Sequence, residues 1–438
     1  MKFVNGVFNM KKALQSIVLL GAATGVAQAA TSVTLYGLVD GGIGYTKTKI
    51  TESDIVHDGG HRHSGSWSEK RNIGMTNGIL NGNRWGLKGS EDLGNGTSAI
   101  FQVESGFDLG TGESKQGKRL FGRKAIIGLT GESWGTLTLG RQYNVADDVV
   151  SGIDPFGTGV GQAGVADGAF GDSVSARMNN SIKYLSPEFG GFKFGLAYSG
   201  THDKNSSEKR DEKSDKRDTS NWISAGLGFE NGPVSVGVSY DRFRTDVRSS
   251  GYNYDLDQHK YVDFDTKTSS TTHMWNLFGA YDFEVVKLHL GYGQIRGSVA
   301  GKAITEAQAG GIGLNSALAG YTTIFKARSK FNGLNYAEAP GFRQQSWMVG
   351  LSAPVGDAGT VLFSYQGNTS KNTNNEYDGM KGKLSIFSVG YVQGLSKRTR
   401  VYAAASYGVG KMKFDEKYHR GNVKLKSTLI GVGLQHRF

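Results

Sequence analysis

The last fourteen residues of the chain alternate between two kinds of side chain. From Leu425 to Phe438, one set of alternate positions is mostly bulky and apolar, and the other is mostly small or polar. The first set is Ile430, Val432, Leu434, His436 and Phe438, and the second is Leu429, Gly431, Gly433, Gln435 and Arg437. A period of two predicts a β-strand rather than a helix. One apolar face running to the final residue is typical of a strand with lipid on one side and water on the other.

The same alternation predicts fifteen further strands upstream. They are Val33–Tyr45, Arg84–Gly89, Ala99–Phe107, Leu120–Leu129, Thr136–Tyr143, Ser181–Ser186, Phe192–Tyr198, Asn221–Glu230, Val234–Arg242, Thr272–Phe283, Val286–Ile295, Gln345–Ala353, Thr360–Gly367, Lys383–Gln393 and Arg400–Gly410. Tight connections alternate with long polar ones, and both termini fall on the short-turn side. The pattern predicts an all-β, 16-stranded antiparallel transmembrane β-barrel, closed by pairing of the last strand with the first.

The first 29 residues predict a cleaved secretory signal. Three lysines precede the apolar stretch 13–23, and Ala27-Gln28-Ala29 fits the small-residue cleavage rule. An apolar stretch of about eleven residues is too short to span a bilayer. Translation can begin at Met1 or at Met10. Residues 30–438 are expected to form a single barrel domain.

Composition narrows the possible functions. The chain has 66 Gly, 22 Phe and 19 Tyr but no Cys, which excludes a disulfide scaffold. The net charge of +11 includes three signal lysines, so the mature chain carries 11 − 3 = +8. We expect no nucleic-acid partner, because the chain is exported and has neither a basic helix nor a run of basic residues, the usual features of nucleic-acid-binding proteins. A pore whose lining cations attract anions accounts better for this net positive charge.

Two long polar connections have a distinctive composition. His202–Asp218 holds six basic and six acidic residues, so we expect it to be a solvated loop. Gly297–Arg343 is the longest connection, and Glu306–Leu318 within it can hold a short helix. A further polar loop carries His57, His61 and His63 beside Asp54 and Asp58, the one metal-like cluster. Its spacing matches no closed metal site, so a solvated surface loop is expected and metal binding is the alternative.

Several short motifs resemble one family. They are Val33–Gly37, Arg84–Gly94, Phe121–Arg123, Gly140–Gln142, Pro187–Phe192 and the terminal Phe438. In this order the motifs are similar to those of the trimeric general porins of beta-proteobacterial type. The resemblance implies a homotrimer in which each barrel has its own pore. It also implies that the third long loop, about 144–178, folds inward as a constriction loop; irregular backbone at that depth must line water or protein.

The same resemblance implies a charged constriction. Matching motif positions place Arg84, Arg123 and Lys183 on the pore wall, and Lys88 is added because it shares the strand face of Arg84. The facing loop residues are expected to be Asp147, Asp148 and Asp154. Such a cation cluster would raise the local concentration of anions. The alternatives are that Arg84 and Arg123 only pair with carboxylates to hold the loop, and that the aspartates are ordinary turn residues.

The sequence therefore predicts an outer-membrane channel for passive diffusion of ions and small hydrophilic solutes, with mild anion preference. A channel selective for a sugar or a particular anion, an adhesin and an outer-membrane barrel hydrolase are the alternatives. We expect no enzyme, cofactor or metal, since no Ser/His or Asp/His constellation is evident. The expected partners are outer-membrane lipid, which aromatic residues near strand ends would meet, and the barrel-assembly machinery, through Phe438.

Overall fold

The computed structural model describes residues 32–56, 62–63, 67–209, 212–255, 260–297, 341–374, 381–416 and 419–438. The predicted signal, the Glu306–Leu318 helix, His57 and His61 lie outside these ranges, and the side chain of His63 is not described either. The helices within these ranges are all too short or too polar to cross a membrane.

Sixteen antiparallel strands form a closed barrel, which confirms the predicted architecture. Each strand pairs with the next in sequence, and the last pairs with the first. The strands are β1 Ser32–Val56, β2 in two segments Trp67–Asn77 and Arg84–Gly94, β3 Thr97–Gly106, β4 Lys124–Gly131, β5 Gly135–Tyr143, β6 Arg177–Leu185, β7 Phe192–Lys209, β8 Glu212–Asn231, β9 Val234–Asp255, β10 Lys260–Asp282, β11 Lys287–Gly297, β12 Phe342–Val355, β13 Gly359–Asn372, β14 Lys381–Gly394, β15 Thr399–Glu416 and β16 His419–Arg437. Arg62–His63 is a two-residue strand that pairs with the end of β1.

The wall has the expected two faces. Ile430, Val432 and Leu434 on β16 point outward and are about half exposed, whereas Leu425 and Gln435 point inward and are buried. The same division holds on β1, where Ile43 is exposed. The outward apolar face is the one that lipid covers in a membrane barrel.

The charged segment His202–Asp218 is not a loop, contrary to the prediction. β7 and β8 remain paired through it, up to Lys209 opposite Glu212. Strands that already pair in the wall can extend outward, because each added residue pair gains backbone hydrogen bonds while its side chains stay in water. Within the hairpin, Glu208 lies opposite Lys213, an attractive cross-strand pair. The expectation that these side chains stay solvated still holds for most of the described positions.

The second wall strand is interrupted, a feature that the sequence analysis missed. Trp67–Asn77 pairs with residues 41–51 of β1, and Arg84–Gly94 pairs with residues 32–38 of β1. The connecting residues 78–83 leave the ladder and turn into the lumen, beginning at Gly78 with φ 66°. Leu80 in this excursion is buried against Phe156 and Val160 of the third long loop. The interruption therefore adds a wall contact to that loop.

The C-terminal residue closes the barrel. The Gly37 amide donates to the Phe438 carbonyl at 3.0 Å, and the Phe438 amide donates to the Gly37 carbonyl at 3.2 Å. The Phe438 ring covers Gly37 so closely that a Cβ there would lie 2.2 Å from the ring. Glycine at position 37 is thus required by the close approach of the terminal aromatic ring.

Deleting Phe438 should reduce the yield of folded barrel. The deletion removes both seam hydrogen bonds and the ring packing, and an open strand edge is costly in a bilayer. We expect the folded fraction, measured by heat-modifiable gel mobility after refolding into vesicles, to fall several-fold. Barrels that do fold should conduct normally, because Phe438 points away from the lumen. A normal folded fraction for the truncated chain would contradict this role.

Candidate functional site

The third long connection, residues 144–176, packs against inward-facing side chains of the barrel wall. It contains the helical turn Val145–Val149 and the 3-10 turns Ser151–Ile153, Gly161–Ala163 and Gly171–Ser173. Its predicted end, Met178, needs correction, because Arg177 and Met178 already belong to β6. We call residues 144–176 the constriction loop.

Apolar side chains seat the constriction loop on one side of the inner wall. Phe170 packs on Phe278 of β10 with ring centroids 5.0 Å apart. Phe156 and Val160 at the far end pack against Leu362 and Tyr402 of β13 and β15, and Val145 packs against Trp222 and Phe243 of β8 and β9. The loop thus follows the wall from β7 to β16, where the Ser427 hydroxyl donates to Gln162 Oε1 at 2.8 Å. We call the wall from Arg84 on β2 to the start of β6 the facing wall.

Polar contacts fix the loop along the same path. Gln366 of β13 donates through Nε2 to the carbonyl of Ala163 at 2.7 Å and of Gln162 at 3.2 Å. Its Oε1 accepts from the Ala169 amide at 2.8 Å. At the base of the loop, Asp241 of β9 accepts from Trp222 Nε1 at 2.8 Å and from Asn144 Nδ2 at 3.3 Å. Satisfying these buried backbone groups is what permits irregular chain inside the barrel.

A cluster of arginines lies on the facing wall. Arg123 Nε donates to Glu104 Oε1 at 2.6 Å, and its Nη2 donates to the Tyr143 hydroxyl at 3.3 Å. The Arg177 guanidinium lies over the Tyr143 ring, 4.3 Å from its centroid, and also donates to its hydroxyl. Arg84 is close enough to interact electrostatically with Arg123, Glu104 and Arg177. The cluster therefore gathers three arginines around a single carboxylate.

Arg84 and Lys88 differ from the other predicted cations in forming no direct ion pair, although the Glu104 carboxylate attracts Arg84 from a longer distance. Arg84 Nε donates to the Gly82 carbonyl at 3.1 Å, and no carboxylate of the described residues forms an ion pair with it. Lys88 Nζ lies 5.6 Å from the centroid of the Tyr36 ring, on the inward face. Arg123 is instead buried and pairs with Glu104, a carboxylate of β3 and not of the loop.

Lys183 connects the wall to the constriction loop. Its Nζ donates to Asp148 Oδ2 at 2.7 Å and to the Tyr143 carbonyl at 3.1 Å. The neighbouring Asp147 accepts from the Ser175 hydroxyl at 2.6 Å, which ties the two ends of the loop together. Lys183, Asp147 and Asp148 are thus brought together, and one cation of the predicted set is neutralised by a loop carboxylate.

Asp154 lies in the interior of the loop rather than on its pore-facing surface. It is 4% exposed, and its carboxylate accepts the backbone amides of Phe156, Thr158 and Val165 at 2.8–3.2 Å. Three donated hydrogen bonds explain why an aspartate is needed at this turn. The prediction grouped Asp154 with Asp147 and Asp148, but the folded loop separates it from them.

Burial raises the pKa of several loop carboxyls. The pKa of Asp154 rises to about 6, and that of Asp167 also rises to about 6, despite the attraction of Arg177. Burial and the nearby Asp148 carboxylate raise the pKa of Asp147 as well. A buried carboxyl with a raised pKa takes up its proton at a higher pH than an exposed aspartate does. The loop therefore loses negative charge as the pH falls toward 6, whereas Asp154 and Asp167 are still mostly ionised at pH 7.

Comparison with known proteins gives the family. A family model described as Gram-negative porin matches residues 16–412. The chain belongs to the Gram-negative porins.

Related porins cover the whole chain. An outer membrane porin protein of Bordetella pertussis is 39% identical over 435 residues, covering 98% of this chain and all of the relative. Outer membrane porin protein 32 of Delftia acidovorans is 26% identical with the same coverage. Among solved structures, an anion-selective porin from Comamonas acidovorans covers 93% of this chain with a TM-score of 0.56 at 20% identity. A trimer form of OmpT from Vibrio cholerae gives 0.52 at 15% identity and 93% coverage. These two structures share the fold of this porin.

Arg177 and Tyr143 are central to the arginine cluster of this porin, yet neither was predicted from the sequence. Arg177 follows the loop directly, and the strand pattern there is broken by a bulge, with Asn180 at φ 49°. A bulge changes which face the following side chains occupy. Two adjacent asparagines at the start of β6 were the available signal for it.

Among the described residues, no group of three or more His, Asp or Glu side chains is arranged to hold a metal ion.

Proposed function

We propose that this outer-membrane porin is a non-enzymatic, water-filled diffusion channel with a mild preference for anions. The observation that carries the preference is the unpaired positive charge of Arg84 and Lys88 at the facing wall. Arg123 and Lys183 have carboxylate partners and contribute less net charge. Fixed surplus cations in a narrow water-filled passage raise the local concentration of anions and lower that of cations.

We propose distinct roles for the remaining predicted residues. Lys183, Asp147 and Asp148 hold the constriction loop against the wall, and they border the passage only through their exposed atoms. Asp154 shapes the loop from within, and its change would act through loop structure rather than through charge in the pore. Arg177, whose guanidinium lies over the Tyr143 ring, adds positive charge to the same wall.

We propose that three copies assemble, each with its own pore. A trimer form is recorded for the structurally similar OmpT of Vibrio cholerae. The outward faces of β1 and β16 carry exposed aliphatic side chains such as Ile43 and Val432 that a neighbouring barrel or lipid would cover. Insertion is proposed to use the terminal strand, with Phe438 as the residue that the assembly machinery reads.

Single-channel conductance in planar bilayers tests the open-pore proposal. A diffusion channel without a binding site should show conductance that rises nearly in proportion to KCl concentration. The addition of sugars or organic anions at millimolar concentration should leave the current unblocked. Conductance that saturates, or current block by one solute, would favour the substrate-selective alternative instead.

A further inference from the structure

Six lysines form two rows on the outward face of the barrel. In the first row Lys371, Lys381 and Lys413 lie directly opposite one another on β13, β14 and β15. In the second, Lys383, Lys411 and Lys424 do so on β14, β15 and β16. All six side chains are exposed, and they share their strand faces with outward residues such as Phe387 and Val432. We call this set the lysine rows.

The lysine rows should destabilise the barrel when no anion is bound to them, because their positive charges repel one another. Like charges directly opposite each other on adjacent strands are destabilising, and there are four such pairs. None of the six forms an ion pair with a carboxylate of the described residues. Two outward arginines on β9 instead have acidic partners: Arg244 pairs with Asp246 at 2.8 Å and Arg248 with Asp265 at 2.6 Å. The lysine rows therefore place six outward cations close together on β13 to β16, with no ion-pair partner among the described residues.

The depth of the lysine rows matches a lipid headgroup. An aromatic row crosses the same strands, with Trp347 and Tyr365 4.7 Å apart, Tyr365 stacked on Phe387 at 4.2 Å, and Tyr407 opposite Phe387. Such a girdle marks the edge of the hydrocarbon layer. Lys383 and Lys411 lie four residues beyond it, about 13 Å along the strand and about 10 Å along the membrane normal. They lie on the long-loop side, which is the extracellular side of such barrels.

We propose that the lysine rows bind the phosphate groups of an anionic lipid in the outer leaflet. A phosphate between opposed ammonium groups would replace repulsion with several charge-assisted contacts. The lipid's acyl chains would then lie along the apolar band below, against Phe387 and Val389. A freely dissolved phosphate could make the same contacts with the lysines, but it has no acyl chains to pack on the apolar band. The surface therefore favours a lipid over a soluble anion.

Native mass spectrometry of detergent-refolded porin tests this proposal. The probe is bis-phosphorylated lipid A, compared with dephosphorylated lipid A and with inorganic phosphate at equal phosphorus concentration. The test variant is Lys383→Gln/Lys411→Gln/Lys424→Gln. The control, Arg244→Gln/Arg248→Gln/Lys267→Gln, removes the same number of cations from β9 and β10, away from the lysine rows. Gel mobility and pore conductance verify that each variant is folded.

The wild-type and control barrels should bind bis-phosphorylated lipid A alike. The test variant should bind it about 100-fold more weakly, since each of the three lysines near an anionic surface contributes about fivefold. Dephosphorylated lipid A should bind weakly to all three. Equal binding by the test variant, or an equal loss in the control, would overturn the proposal. So would inorganic phosphate that displaces the lipid at equal concentration, or a changed subunit number with unchanged lipid affinity, which would indicate a contact between copies.

Discussion

Replacing both Arg84 and Lys88 with glutamate should shift this porin from anion toward cation preference. The double change alters the wall charge by four units where the native cations form no direct ion pair. At pore distances in water, such a change alters ion energies by about 1–2 kcal/mol after screening, which corresponds to about a tenfold change in the anion-to-cation permeability ratio. The measurement is the zero-current potential of reconstituted channels in a salt gradient.

The design includes a graded series and a matched control. Arg84→Gln/Lys88→Gln should give an intermediate ratio, because it removes charge without reversing it. Lys411→Glu/Lys413→Glu makes the same four-unit change on the outward face of β15 and should leave the ratio unchanged in a zwitterionic bilayer. If the outward control shifted the ratio as much as the wall variant, the selectivity would arise from overall charge and not from the constriction.

Changing Gln366 to alanine should loosen the constriction loop. The side chain makes three hydrogen bonds to the loop backbone, two as donor and one as acceptor. At about 1 kcal/mol each, their loss should raise the ratio of displaced to seated loop roughly 100-fold. The expected result is frequent sub-conductance steps in single-channel records at voltages where the wild-type current is quiet.

Gln393→Ala is the control for this loop prediction. Gln393 is also a wall glutamine, but its contacts are with Tyr391 and with the carbonyl of Gly394, not with the loop. Its replacement should leave the current quiet. A Gln366→Ala channel as steady as wild type would mean that the apolar packing of Phe170 and Phe156 seats the loop without help from the wall amide.

The alternating pattern predicted the barrel because each membrane-spanning residue has only two environments. Ile430 to Phe438 could be assigned to faces from parity alone, since lipid and water select opposite side chains. The pattern failed where both faces meet water: His202–Asp218 has no alternation, yet its strands continue. It also failed at Trp67–Asn77, where β2 is interrupted by residues 78–83 that turn inward to meet the constriction loop.

The constriction was less predictable than the wall because no period governs an irregular loop. Asp147, Asp148 and Asp154 are alike in sequence, but the path of the loop leaves Asp148 at the wall lysine and turns Asp154 inward onto three backbone amides. The pairing of Arg123 with Glu104 and of Lys183 with Asp148 could not be read from the sequence, because it depends on contacts between residues far apart in the chain. Arg177 was missed because a bulge precedes its strand's regular part.

The sign of ion selectivity in the unmodified porin depends on the net charge of the constriction. Purified channels in a zwitterionic planar bilayer, with a tenfold KCl gradient at neutral pH, give a zero-current potential whose sign reports the preferred ion. The unpaired Arg84 and Lys88 predict a potential on the chloride side, with anions modestly favoured. A potential on the potassium side would contradict the proposed cationic constriction.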